Sequence, residues 1–180
     1  LLAFNLDAIQ AMDDDQFVLR LQAFCQDFEP LFLEAMTAHQ FKVFALANKD
    51  RSKTFRDPID SGRFFIEADD TIEWPASKAV RKALCKGEVC GFDRLAAVRD
   101  LLAACDPWTP SQIELLLTTW AEANCNGNLG QVAQPIRVAV SGGPVSPPIF
   151  DTLEILGRDA TLARIDRCLA SREQLQGTSP

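Results

Sequence analysis

Apolar residues recur every three or four positions along nearly the whole chain, a period that suits helices and very little else. Phe17, Leu21 and Phe24 mark a helix over 13–26, with Asp13, Asp14 and Asp15 in a first turn whose dipole favours acid. Leu31, Phe32, Ala35, Met36, Val43, Phe44 and Leu46 carry the pattern across 29–47. Residues 49–62 are polar and hold Asp57-Pro58 and Ser61-Gly62, the breakers of a loop or short helix joining two units. After a second polar joint, Trp74-Pro75 begins a series of helices over 75–86, 90–105, 110–125, 131–140, 147–156 and 160–172. Thr109-Pro110 and Ser146-Pro147 each pair a capping hydroxyl with a first-turn proline, and Gly157 closes one helix before Asp159 opens the next. Strand signals are scarce: there is no tyrosine and no alternating run between hairpin turns. The expectation is an all-α fold of two helical units meeting near residues 57–66.

Charge and cysteine usage narrow the function classes. A formal net charge of −7 is not the footprint of a nucleic-acid binder. The acid is concentrated early, however, while Lys49, Arg51, Lys53 and Arg56 cluster together, and local strips decide contact. No run approaches the roughly 20 apolar residues of a membrane span. The opening residues lack the features of a signal peptide and an initiator methionine, which suggests a piece of a longer protein. Six cysteines at irregular spacing, with His39 the lone histidine, read as reduced cytosolic thiols rather than a disulfide framework. Cys85 and Cys90 supply at most half of a zinc site, so no metal is expected.

The run from Leu129 to Leu169, with Val132-Ala133-Gln134-Pro135-Ile136-Arg137-Val138-Ala139, then Ser146-Pro147-Pro148-Ile149-Phe150, then Leu156-Gly157 and Leu162-Ala163-Arg164, resembles the C-terminal end of bacterial-type glutamyl-tRNA synthetases. The opening LLAFNLDAI, the block Arg51-Ser52-Lys53-Thr54-Phe55-Arg56 with Gly62-Arg63-Phe64-Phe65, and Trp108-Thr109 are similar to further segments of that family. The resemblance implies a two-part helical cage or bundle of the class I aminoacyl-tRNA synthetase anticodon-binding type. It divides the chain into a tail of the stem-contact region (1–15), two anticodon-binding subdomains (16–63 and 64–175) and a flexible tail (176–180). The family's adenylate-forming signatures are missing, so the chain holds no catalytic residue and is a recognition region. ATP and magnesium would belong to an N-terminal catalytic domain outside this sequence.

Individual residues carry two readings each. Arg137 is either a surface ion pair or, as the resemblance implies, an anticodon contact suited by its planar guanidinium. Ser146, Pro147 and Ile149 are either a helix cap with a core side chain or a helix terminus offering N–H groups, with Ile149 flat against an unstacked base. Arg51 begins the basic cluster, and the resemblance places there the arginine that distinguishes the third anticodon base. Lys53 and Arg56 are phosphate contacts or solvated charges. Trp108 and Trp120 read as core, and Phe64 and Phe65 as packing between the units. The function expected is recognition of the tRNA(Glu) anticodon by a cytoplasmic, monomeric glutamate–tRNA ligase. A helical protein-interaction module and a free-standing tRNA-binding factor are the alternatives.

Overall fold

The computed structural model describes residues 8–177, and every regular element among them is helical, as the spacing predicts. The segment 1–7 of the opening motif, and 178–180 of the expected flexible tail, lie outside the described residues. No described helix is long and apolar enough to cross a membrane. The chain divides into a smaller unit, Leu1–Ile66, and a larger one, Glu67–Pro180.

The smaller unit holds α1 (Asp14–Phe28), α2 (Leu31–Ala35), α3 (Ala38–Lys49), α4 (Arg56–Gly62) and a 3-10 turn (Arg63–Phe65). Asp13 caps α1 by accepting the Gln16 N–H at 2.8 Å, and the acids that follow suit the positive end of the helix. The single helix predicted over 29–47 is two. Thr37 Oγ1 accepts the Gln40 N–H at 3.2 Å while Gln40 Oε1 accepts the Thr37 N–H at 2.9 Å, and this reciprocal cap leaves Met36 extended. The core is aromatic: Phe32 stacks on Phe44 at 5.4 Å, and Phe65 meets Phe44 edge-on at 5.7 Å. Phe64 and Phe65, at 4.1 Å from one another, thus join the packing of this unit. Gly62 lies under Phe44, where a Cβ would fall 2.4 Å from the ring.

The larger unit holds α5 (Lys78–Leu84), α6 (Gly91–Ala103), α7 (Pro110–Asn124), α8 (Gly130–Ser141), α9 (Ile149–Ala170) and α10 (Arg172–Gly177). α8 packs against α5, α6, α7 and α9, which buries Val132, Ile136, Val138, Ala139 and Val140 along it. The helix predicted from Pro75 starts later, at Lys78, where Ser77 Oγ caps it by accepting the Val80 N–H at 3.3 Å. Residues 67–77 before it form a non-helical strap. Arg164, 1% exposed, donates from Nε to Asp69 Oδ1 (2.6 Å), from Nη1 to the Val140 carbonyl (2.9 Å) and from Nη2 to the Glu67 carbonyl (2.9 Å). Arg167 donates to the carbonyls of Asp69 and Ile72 and lies 5.3 Å over the Trp74 ring, whose Nε1 donates to Val138 O at 3.0 Å. Gly157 breaks α9 at φ 77°, and Trp108 Nε1 donates at 2.9 Å to Leu153 O in the turn whose carbonyls the break deprives of helical partners.

Candidate functional site

α8 delivers Arg137 to the start of the connection into α9. Pro135 lies within the helix; its ring removes one backbone bond and it is buried, so the sequence tolerates the defect for packing. Gly142 then ends α8 at φ 74°, close enough to the Glu73 carbonyl that a Cβ would sit 2.7 Å from it. The chain returns over the helix it has just left. Gln134 Nε2 donates to Pro144 O at 3.0 Å, and Arg137 Nη1 donates to Ser146 O at 3.0 Å and Pro147 O at 2.8 Å. The same nitrogen meets Ser146 Oγ. Arg137, half-buried, fastens the loop through backbone carbonyls.

Ser146 does not cap α9. The helix begins at Ile149 with Pro148 at the cap position and no side-chain cap bond. Two successive prolines keep the residues before them out of helical geometry, which delays the helix by two positions. Ser146, 4% exposed, turns inward instead and donates to Pro147 O at 2.8 Å, beside Thr152. Ile149 is 6% exposed within the core of the larger unit, so its side chain packs inside rather than offering a face to a base. Pro147 is buried too, and the exposed ring at this helix end is that of Pro148. The structure thus brings Arg137, Ser146 and Pro147 into one knot and assigns Ile149 to the core.

Arg51 and Lys53 are exposed on a short turn of the smaller unit between α3 and α4. That turn is rigidly built. Ser52 Oγ donates to Asn48 O at 2.7 Å, and Asp57 accepts the N–H groups of Lys53 (2.6 Å) and Thr54 (3.0 Å) together with the Thr54 hydroxyl (2.9 Å). Burial pushes the Asp57 carboxyl upward, but these donors outweigh it and hold the group below its ordinary range. Arg56, expected as a phosphate contact or a solvated charge, is exposed as well. It pairs with Glu29 at 2.8 Å and Asp60 at 3.2 Å, and Arg63 joins Glu29 at 3.0 Å, so its charge is answered within the unit. Cys85 and Cys90 belong to no group of three or more His, Cys, Asp or Glu side chains suited to a metal among the described residues. Cys90 instead stands at the start of α6, its N–H donating to Asp93 at 2.9 Å.

Arg164 is the residue that sequence reasoning missed. Its signal was an arginine on the face that Thr161, Ile165 and Cys168 bury, where a cation needs acceptors from elsewhere in the fold.

The family model described as "Anticodon binding domain" matches residues 16–169. A glutamate–tRNA ligase of Alkalilimnicola ehrlichii is 43% identical over 123 residues, 68% of this chain and 25% of that protein. Another from Corynebacterium efficiens is 34% identical over 167 residues, covering 91% of this chain and 32% of its own length. The crystal structure of a glutamate tRNA ligase from Elizabethkingia meningosepticum shares the fold at TM-score 0.75 and 18% identity, over 94% of this chain and 32% of that one. The chain therefore spans about a quarter to a third of the length of the relatives it matches.

Proposed function

Because the chain belongs to the anticodon binding domain family, we propose that it is the tRNA(Glu)-recognising part of a cytoplasmic, monomeric glutamate–tRNA ligase. The observation that carries this is the family match itself, which runs through both units and includes the Arg137 knot and the Arg51 turn. On this reading ATP and magnesium would belong to the part of the parent protein that this chain does not cover, since the chain matches 32% of the length of its Corynebacterium efficiens relative. Arg137 presents a fixed cation beside a helix start, and Arg51 with Lys53 presents two more on a rigid turn. A base-edge arginine contributes about 1–3 kcal/mol of discrimination, whereas a phosphate contact weakens all sequences alike.

The test is binding of the chain to paired tRNA(Glu) molecules differing only at the third anticodon base, at fixed salt. Arg51→Gln should lower the preference for cytosine over guanine. Arg137→Ala should weaken both ligands by loosening the loop, and Lys53→Ala should act weakly and without base preference. An unchanged cytosine-to-guanine ratio in Arg51→Gln removes the discriminating role. Absence of tRNA binding by the parent chain removes the function.

A further inference from the structure

Between Glu73 and Glu88 the sequence carries Lys78, Arg81, Lys82 and Lys86 and no carboxylate, in a chain whose net charge is −7. Lys82 lies on α5 and Lys86 two residues beyond its end at Leu84, and both are exposed. They reach into a groove of about 950 Å³ in the larger unit, whose other wall is the start of α8. Arg94 closes the groove between the walls: its guanidinium donates to the Val89 carbonyl and, at 2.6 Å, to Gln131 Oε1. With that oxygen taken, the amide nitrogen is the polar group that Gln131 has left to offer. Lys82 and Lys86 pair with no carboxylate among the described residues, and Glu88 is the one acid on the rim. Gln134 and Pro144 also line the groove and are joined by the bond that folds the α8–α9 loop back, so the groove runs up to the Arg137 knot.

We infer that this groove is a phosphate track for the RNA strand adjoining the Arg137 loop, with Lys82 and Lys86 as backbone contacts and Arg94 as the residue that fixes the groove's shape. The inference rests on the RNA-binding reading above. The chemistry favours RNA over an acidic protein segment: the donors are cationic or amide groups ranged along an open trough, which suits evenly spaced phosphates. A protein acidic elsewhere repels a polyanion except along such a strip, which makes the strip a guide as well as a contact.

The experiment compares the full chain with a Lys82→Gln/Lys86→Gln double variant and a Lys42→Gln control in binding tRNA(Glu) over a range of salt. The double variant should bind about tenfold more weakly at low salt, and the slope of log affinity against log salt should fall by about 1.4, or 0.7 for each lost single-strand contact. The loss should be equal for RNAs with altered anticodon bases, and the control should match the parent. Gln131→Ala should weaken binding less and leave the slope unchanged. Parent-like affinity and slope in the double variant overturn the track while the proposed function stands. A loss of affinity with an unchanged slope overturns it as well, since the lysines would then act through the fold. Competition by an acidic peptide with equal slope would assign the groove to protein and overturn the RNA strand as occupant. Failure of the parent chain to bind any tRNA overturns the proposed function, and the track with it.

Discussion

The smaller unit is filled with rings and the larger one is fastened with arginines. All but Phe92 and Phe150 of the 12 phenylalanines fall before residue 67, while Trp74, Trp108 and Trp120 all fall after it. A unit of that size has little interior, and a few large rings bury the most apolar surface for the number of residues ordered. Its arginines are left at the surface, as in the pairs of Arg56 and Arg63 with Glu29. The larger unit has an aliphatic interior and two long non-helical stretches, and the carbonyls of such stretches need donors once they are covered. Arg164 and Arg167 supply them to the strap, Arg137 to the α8–α9 loop, and Arg158 to Cys105 and Asp106 at the turn into α7. A cationic side chain in the larger unit is therefore often a structural fastener.

The largest effect expected is that of Phe44→Ala, which should remove about 3–5 kcal/mol from the smaller unit. Far-UV circular dichroism in urea should show the early loss of helix, and tryptophan fluorescence, which reports only the larger unit, should keep its midpoint. Equal shifts in both signals would break the comparison. Next comes Arg164→Leu. Its three acceptors would be stranded, though Asp69 is exposed enough to find water, so about 3 kcal/mol is expected from the fluorescence-reported transition. Arg164→Lys should restore little, since one ammonium cannot reach the acceptors that a planar fork spans. A change below about 0.5 kcal/mol, the usual scatter of surface substitutions, would refute the fastener role.

Two glycines sharpen the contrast at smaller scale. A Cβ at Gly91 would lie 2.0 Å from the Ala83 carbonyl, whereas one at Gly62 would meet the Phe44 ring. Gly91→Ala should cost about 1–3 kcal/mol and more than Gly62→Ala, because a backbone yields less readily than a side chain. Thermal melts in which Gly62→Ala is the more harmful would reverse that ranking. Smallest is a pH effect common to both units. Burial raises the Cys25 thiol to about 11 and the Cys168 thiol to about 12, from 9.0. The folded chain thus keeps a proton that the unfolded chain loses, so stability is complete below pH 9.0 and declines as pH rises through the interval above it. At pH 10 the decline should be about 1.4 kcal/mol for each thiol, and Cys25→Ala/Cys168→Ala should flatten the profile. A profile equally steep in that variant would rule out the thiols as the source.

Much of the fold is legible in the chain because helices are local. Thr109 and Pro110 place the start of α7, and Gly157 the break in α9, from neighbours alone. The division of 29–47 was legible too, since Thr37 and Gln40 form a capping box, but the apolar spacing running across it hid the stop. The candidate site was legible in its residue types and not in its contacts. Nothing near Arg137 in sequence says that its acceptors are carbonyls nine and ten residues on, nor that consecutive prolines turn Ser146 away from the helix end. Ile149 went to the core because partners brought in by folding decided between two readings that its neighbours left open.

The bond from Arg164 to Asp69 spans 95 residues, and it has a consequence for the order of events at the ribosome. At roughly 5–20 residues per second, several seconds separate the synthesis of the strap from that of the arginine that completes it. The smaller unit has by then been made in full and can close behind the advancing chain. The strap cannot, so the nascent larger unit waits with its first edge open until α9 emerges.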